Sequence, residues 1–325
     1  MPLVTSSTYR PPLLFRSAHL QTIYPALFRK VPTVTKERER IDTPDGDFLD
    51  LDWVRHPNSE QLVILTHGLE GNSSQAYIQG MARIFSEAKW NVLAWNFRGC
   101  SGEVNRRLQS YHSGATGELE IILNHVFDNT PYKQIALIGF SLGGNVTLKY
   151  LGDRAGNLDT RIKTAVAISV PCDLASSSVR LEAFQNRIYM ERFMRTLRTK
   201  IREKMRRFPN QLDDTDLDRM RTFREFDGGF TAPIHGFTSA DDYWTRASSK
   251  PVLPKVTIPS LMINAANDPF LAPECYPLEA AQENPNFHLE IPTHGGHVGF
   301  VSFGQNKTYW SEKRALDFVE QQTQS

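Results

Sequence analysis

Ser141 stands at the centre of Gly139-Phe140-Ser141-Leu142-Gly143, with Gly144 next. An apolar run over 135–138 leads into it, and a helix-like stretch over 145–151 follows. Small residues two before and two after a serine suit a sharp strand-to-helix turn, which exposes the hydroxyl and lets helix and strand approach. A serine hydroxyl is a weak nucleophile at its ordinary pKa. It needs an imidazole base, and the imidazole needs a carboxylate to set its tautomer. His297 meets the first need. It lies in T-H-G-G-H-V-G-F at 293–300, where Gly295 and Gly296 allow a loop to bend toward the serine. His294 competes from the same loop, and His288 sits inside a strand pattern. Asp268 meets the second need, because it follows the strand-like 261–264 and open α/β sheets hold their sites at strand C-termini. Asp241 and Asp242 are the reserve acids.

Acyl transfer through such a serine also needs two N–H groups aimed at the developing oxyanion. The residue after the nucleophile, Leu142, supplies one from the start of a helix. The loop His67-Gly68-Leu69-Glu70-Gly71, which ends the apolar run 62–65, supplies the other through Leu69. His67 itself reads as structural.

The elements around these residues follow from periodicity. Residues 1–33 are punctuated by proline and read as a mostly extended arm with one or two short helices, packed on the core. Period-2 patterns over 34–41 and 48–54, separated by Pro44-Asp45-Gly46, predict an antiparallel pair. Short apolar runs at 62–65, 92–97, 135–138 and 162–170 then alternate with helical stretches at 76–88, 116–127 and 145–151. That alternation predicts βαβ units and a parallel sheet. It stops around 174–250, where 176–207 reads as one or two Arg- and Lys-rich helices, 213–226 as another helix, and 230–233 as loop. It resumes with a strand at 260–264, a helix at 273–283, a strand at 287–291 and a terminal helix at 309–321. The expected organisation is an arm at 1–33, an α/β core at 34–173 and 251–325, and a helical cap insertion at 174–250.

Composition removes other classes. The chain has 325 residues, 40% hydrophobic and 22% charged, as globular proteins do. Lys+Arg 37 against Asp+Glu 36 leaves +1, which gives no global argument for nucleic-acid binding, and no nucleic-acid partner is expected. No apolar run is long enough to span a bilayer, and the prolines near the start interrupt any signal-peptide core. Cys100, Cys172 and Cys275 form no C-x-x-C pair, so a disulfide framework or zinc site is not expected and a reducing cytoplasm fits. No H-E-x-x-H occurs either.

Several strings together resemble one family. They are S-A-H-L-Q-T at 17–22, D-G-D-F at 45–48, H-G-L-E-G at 67–71, N-F-R-G-C-S at 96–101 and G-G-H-V-G-F at 295–300. With Ser141, Asp268 and His297 they are similar to the YheT-like branch of the α/β-hydrolase superfamily. The resemblance implies an α/β-hydrolase fold: a mainly parallel sheet of about eight strands flanked by helices, with a helical cap over the site. It also implies no cofactor, and lipase, esterase or alcohol acyltransferase chemistry. The expected reaction is hydrolysis of a small carboxylic ester, short- to medium-chain or acylglycerol-like, through an acyl-enzyme. The alternatives are acyl transfer to an alcohol, and a non-catalytic binding protein on the same fold.

The stretch 187–208 interleaves basic residues with apolar ones at near-helical spacing. It reads first as a solvated basic face over a packed helix, and second as a membrane-surface contact. The sequence carries no sign of an oligomeric state.

Overall fold

The computed structural model describes residues 3–32, 34–213, 215–303 and 307–323. Met1, Pro2 and Thr33 of the expected arm, and Asp214 of the expected 213–226 helix, fall outside these.

Among the described residues nine strands form one sheet: β1 (Leu3–Val4), β2 (Glu37–Asp42), β3 (Phe48–Val54), β4 (Gln61–Thr66), β5 (Asn91–Asn96), β6 (Gln134–Phe140), β7 (Ile162–Ile168), β8 (Ser260–Ile263) and β9 (Phe287–Glu290). Their order across the sheet is β1-β9-β8-β7-β6-β4-β5-β3-β2. Every pairing from β1 through β5 is parallel, while β5/β3 and β3/β2 are antiparallel. The central strands β4, β6 and β7 are buried on both faces, which is why their sequences run apolar without alternation. β3 alternates, yet it too is buried throughout. Its Asp50 and Asp52 survive burial through paired contacts to β2, Arg40 Nε at 2.7 Å and Arg38 Nε at 2.8 Å.

The helices that follow strands are α2 (Ala76–Glu87), α3 (Thr116–Asn129) and α4 (Leu142–Asp153), with α10 (Leu278–Glu283) and α11 (Trp310–Thr323) near the end. The arm carries a 3-10 turn, Leu13–Arg16, and an eleven-residue helix α1 (Ala18–Phe28). It also contributes β1, an edge strand that two residues are too short to announce by periodicity.

Between β7 and β8 lie α5 (Leu174–Glu182), α6 (Arg187–Arg207), α7 (Phe223–Phe226), α8 (Ala232–His235) and α9 (Ala240–Ala247). Here two expectations change. The helix expected over 213–226 begins only at Phe223, where Thr222 and Glu225 form a capping box. The loop expected at 230–233 is helical, because a wide-turn segment, Asp227–Thr231, carries α7 directly into α8. Pro233 is tolerated because it falls at the start of that last helical turn. The 273–283 helix is likewise divided into a 3-10 turn, Pro273–Cys275, and α10.

Candidate active site

Ser141 occupies the turn between β6 and α4 with φ 52 and ψ −120, a conformation that non-glycine residues rarely adopt. The turn is held by close approach on both sides. A Cβ on Gly143 would lie 2.4 Å from the carbonyl oxygens of Thr66 and His67, so only glycine lets α4 pack against the end of β4. Ser141 donates its own N–H to Ile168 O at 2.8 Å, and its C=O accepts from Asn145 at 3.0 Å. The strained residue is thereby tied to β7 and to the first turn of α4.

Three residues from distant parts of the chain meet at the hydroxyl. His297 Nε2 lies 2.9 Å from Ser141 Oγ. On its other side His297 Nδ1 lies 2.9 Å from Asp268 Oδ2 and 3.2 Å from Oδ1. Asp268 is buried and also accepts from the Phe270 N–H at 2.9 Å. This geometry sets the imidazole with one nitrogen toward a carboxylate and the other toward a hydroxyl, as a general base requires. His294 points elsewhere, its Nδ1 3.1 Å from Arg16 O. His288 packs on Phe318. Asp241 and Asp242 lie on α9 and pair with Arg224 and Arg246.

The loop after β4 passes directly over the serine, with a Gly68 Cβ position 3.1 Å from Ser141 Cβ. Its neighbouring amides are occupied: Gly68 N–H donates to Tyr77 OH at 3.0 Å, Glu70 N–H to Tyr111 OH at 2.8 Å and Gly71 N–H to Gly68 O at 3.0 Å. Among the described residues the N–H groups of Leu69 and Leu142 make no hydrogen bond, and both residues line the cavity with Ser141 and His297. His67 is fully buried beneath this loop. Its Nε2 accepts from the Phe97 N–H at 3.1 Å and its Nδ1–H donates to Gly68 O at 2.8 Å. Burial lowers its pKa to about 4, so it braces the loop as a neutral ring.

Several residues that hold the site were missed in the sequence. The His297 backbone N–H donates to Thr22 Oγ1 at 2.9 Å. Gln21, fully buried, accepts from the Val301 N–H at 2.8 Å and donates to Tyr9 OH and Phe15 O. Tyr9 OH in turn donates to Val301 O at 2.8 Å. Ser169 Oγ accepts from Val298 N–H, and Asn267 Oδ1 from Gly296 N–H. The arm is therefore a clamp on the histidine loop, and Q-T at 21–22 was visible only as part of a family string. A second surprise concerns α6. Lys200 turns inward and donates to Glu70 Oε1 at 2.8 Å, while Tyr111 OH donates to the same oxygen at 2.7 Å. Burial opposes the charge on Lys200, but Cys100 and Glu70 beside it outweigh burial and leave its pKa raised. Lys204 is buried too, against Asn105 and the Arg107 carbonyl. The basic face is thus solvated only in part.

Above Ser141 opens a cavity. Leu174, Leu181, Phe193, Leu197 and Phe230 from the helical segment give it an apolar wall. Two carboxyls line it, Glu70 from the loop after β4 and Asp227 from the wide turn, and Asp227 accepts from Trp244 Nε1 and Thr231 Oγ1. Burial raises the Asp227 pKa to about 6.

Comparison with known proteins identifies the fold and the family. A model of the alpha/beta hydrolase fold matches residues 61–303. YheT of Escherichia coli strain K12 is 34% identical, over 97% of this chain and 94% of that one. The human protein named phospholipase ABHD3 is 31% identical, over 92% of this chain and 75% of that one. Among solved structures, the Pyrococcus furiosus esterase Pf2001 has a TM-score of 0.58 at 19% identity, covering 90% of this chain and 98% of that one. That last likeness concerns the fold alone. The chain belongs to the alpha/beta hydrolase fold family, in the branch that includes YheT.

Proposed function

We propose that the protein is a serine hydrolase of carboxylic esters, with Ser141 as nucleophile, His297 as base and Asp268 as its orienting acid. The observation that carries this is the unbroken contact chain Ser141 Oγ–His297 Nε2–Nδ1–Asp268 Oδ2, with 2.9 Å at each link, at the floor of an apolar cavity. In the forward step His297 takes the Ser141 proton as Oγ bonds the ester carbonyl carbon. The carbonyl oxygen becomes an oxyanion facing the N–H groups of Leu69 and Leu142, each such donor contributing roughly 100- to 1000-fold in rate. His297 then protonates the leaving alcohol, the C–O bond breaks, and an acyl-enzyme remains. Water, deprotonated by His297, attacks the acyl carbon; the bond from that carbon to Ser141 Oγ then breaks, His297 returns the proton to Oγ, and the carboxylic acid leaves.

The substrate class follows from the cavity walls. Leucine and phenylalanine side chains from the segment 174–250 accept an apolar acyl chain, so this segment acts as a cap and the ester is short- to medium-chain or acylglycerol-like. The esterase and phospholipase names of relatives support ester chemistry. A p-nitrophenyl ester panel of increasing acyl length tests the reading, with Ser141→Ala as control. The substitution lowers kcat/KM by roughly 10⁴-fold or more and abolishes fluorophosphonate labelling. An alanine variant that keeps wild-type turnover removes the serine from the mechanism.

A further inference from the structure

The helix α1 is built inside out. Its buried residues are Gln21 and Pro25, whereas Leu20, Leu27 and Phe28 are exposed. Leu20 and Leu27 stand seven residues apart and so share one face of the helix. The 3-10 turn ahead of α1 adds two more exposed apolar side chains, Leu13 at 78% and Leu14 at 81%. Large apolar side chains left outside on a soluble protein are unremarkable singly. A contiguous set marks a surface that meets something apolar.

Charge on the same segment narrows the partner. Residues 1–36 contain Arg10, Arg16, Arg29, Lys30 and Lys36 and no Asp or Glu. Arg29 and Lys36 are used internally, by Glu312 and by Ser73 O. Arg10, Arg16 and Lys30 remain exposed around the leucines. The near-neutral chain therefore concentrates positive charge beside its exposed apolar residues. Across a short contact, His19 Nδ1 to Tyr189 OH at 2.9 Å, the face reaches the start of α6. There Ile188 is exposed between the exposed Arg187 and Arg192.

The face is rigid and borders the active site. Gln21 and Tyr9 bond the arm to Val301, so the leucines stand on a fixed platform. Ring contacts run from His297 to Phe270 (4.2 Å), to Tyr189 (4.8 Å) and to His19 (5.7 Å). We infer that the arm and α1 dock the protein on an anionic lipid surface, with the leucines entering the acyl boundary and Arg10, Arg16 and Lys30 meeting headgroup anions. An apolar stripe with cations at its margin is the pattern that binds in the plane of such an interface. This goes beyond the esterase reading and does not depend on it.

Flotation with vesicles tests the inference on the full chain. Vesicles of equal phosphatidylglycerol and phosphatidylcholine carry the protein, vesicles of phosphatidylcholine alone carry far less, and high salt weakens the binding. Leu13→Ser with Leu14→Ser lowers the partition coefficient by ~tenfold. Arg16→Gln with Lys30→Gln lowers it by roughly fivefold per cation removed. Unchanged melting midpoints show that both variants remain folded, and the binding readout needs no turnover. Absence of wild-type flotation overturns the inference, as does flotation indifferent to both pairs of substitutions. Concentration-dependent dimers that vanish in the leucine variant, without vesicle binding, also overturn it and give the face to a second copy of the chain.

Discussion

The turn that carries Ser141 and the loop that carries His297 are held in opposite ways. The serine turn is bounded by glycine close approaches and by backbone bonds to the elements it joins and to the adjacent strand. The histidine loop has almost no support of its own. Its amides are taken by Thr22, Gln21, Ser169 and Asn267, and Thr22 is 275 positions away. The proposed nucleophile is thus set by a local motif, whereas its proposed base is set by the assembled tertiary structure. The arm supplies two of these four acceptors and adds the bond from Tyr9 OH to Val301 O, so an early segment helps to set a residue late in the chain.

Substitutions at the two regions should fail differently. Gly143→Ala has the largest expected effect. It forces a methyl group against the Thr66 and His67 carbonyls, where overpacking costs about 3 kcal/mol or more because backbone cannot rotate away. A urea titration reads this as a lowered midpoint. An unchanged midpoint would mean that the serine turn is less tightly specified than its glycines indicate.

Thr22→Val comes next. It keeps the shape but removes the acceptor for the His297 N–H. Under the proposed mechanism kcat falls about 10- to 100-fold with KM little changed, since small misplacements of a reacting group carry costs of this order. Thr22→Ser restores kcat, which a merely space-filling role would not require. A valine variant with wild-type kcat would show the loop to be self-supporting and would dissolve the contrast.

The smallest effect is a pH dependence on the serine side. Burial holds His67 neutral with a folded pKa of about 4, below its ordinary value near 6.5. The unfolded chain binds the proton first as pH falls, so this contribution to stability is complete above about 6.5 and is lost as pH falls toward 4. At about pH 5.5 the loss is about 1 kcal/mol. His112 (about 3) and His235 (about 4), also lowered by burial, act in the same direction. Thermal melts of wild type and His67→Gln across that range give a shallower slope in the variant. Parallel slopes would locate the acid sensitivity elsewhere.

Legibility in the sequence follows the same division. The strands β4, β6 and β7 are plain in it, because burial on both faces writes a continuous apolar run. α1 is not, because its inward side is Gln21 and Pro25 and its leucines face out, which inverts the pattern that periodicity searches for. Lys200 and Lys204 mislead for a related reason. Charge on a helix ordinarily means solvent, but here Glu70 and the Asn105 carboxamide receive these ammonium groups inside. The wide turn at Asp227–Thr231 has no local signature, and Pro233 beyond it looks like a helix stop.

What the sequence by itself determined is therefore the set of candidate reacting groups and the strand-helix rhythm that presents them. Both depend on neighbours a few residues away: a glycine that permits a turn, an apolar run that demands burial. Only the tertiary structure decided that Ser141 and His297, 156 positions apart, meet at 2.9 Å, that the arm clamps the loop between them, and that two lysines of α6 turn inward. Contacts between distant segments form when whole elements pack, and packing chooses partners by shape and satisfied polar groups across the assembled sheet, which no local window of residues records.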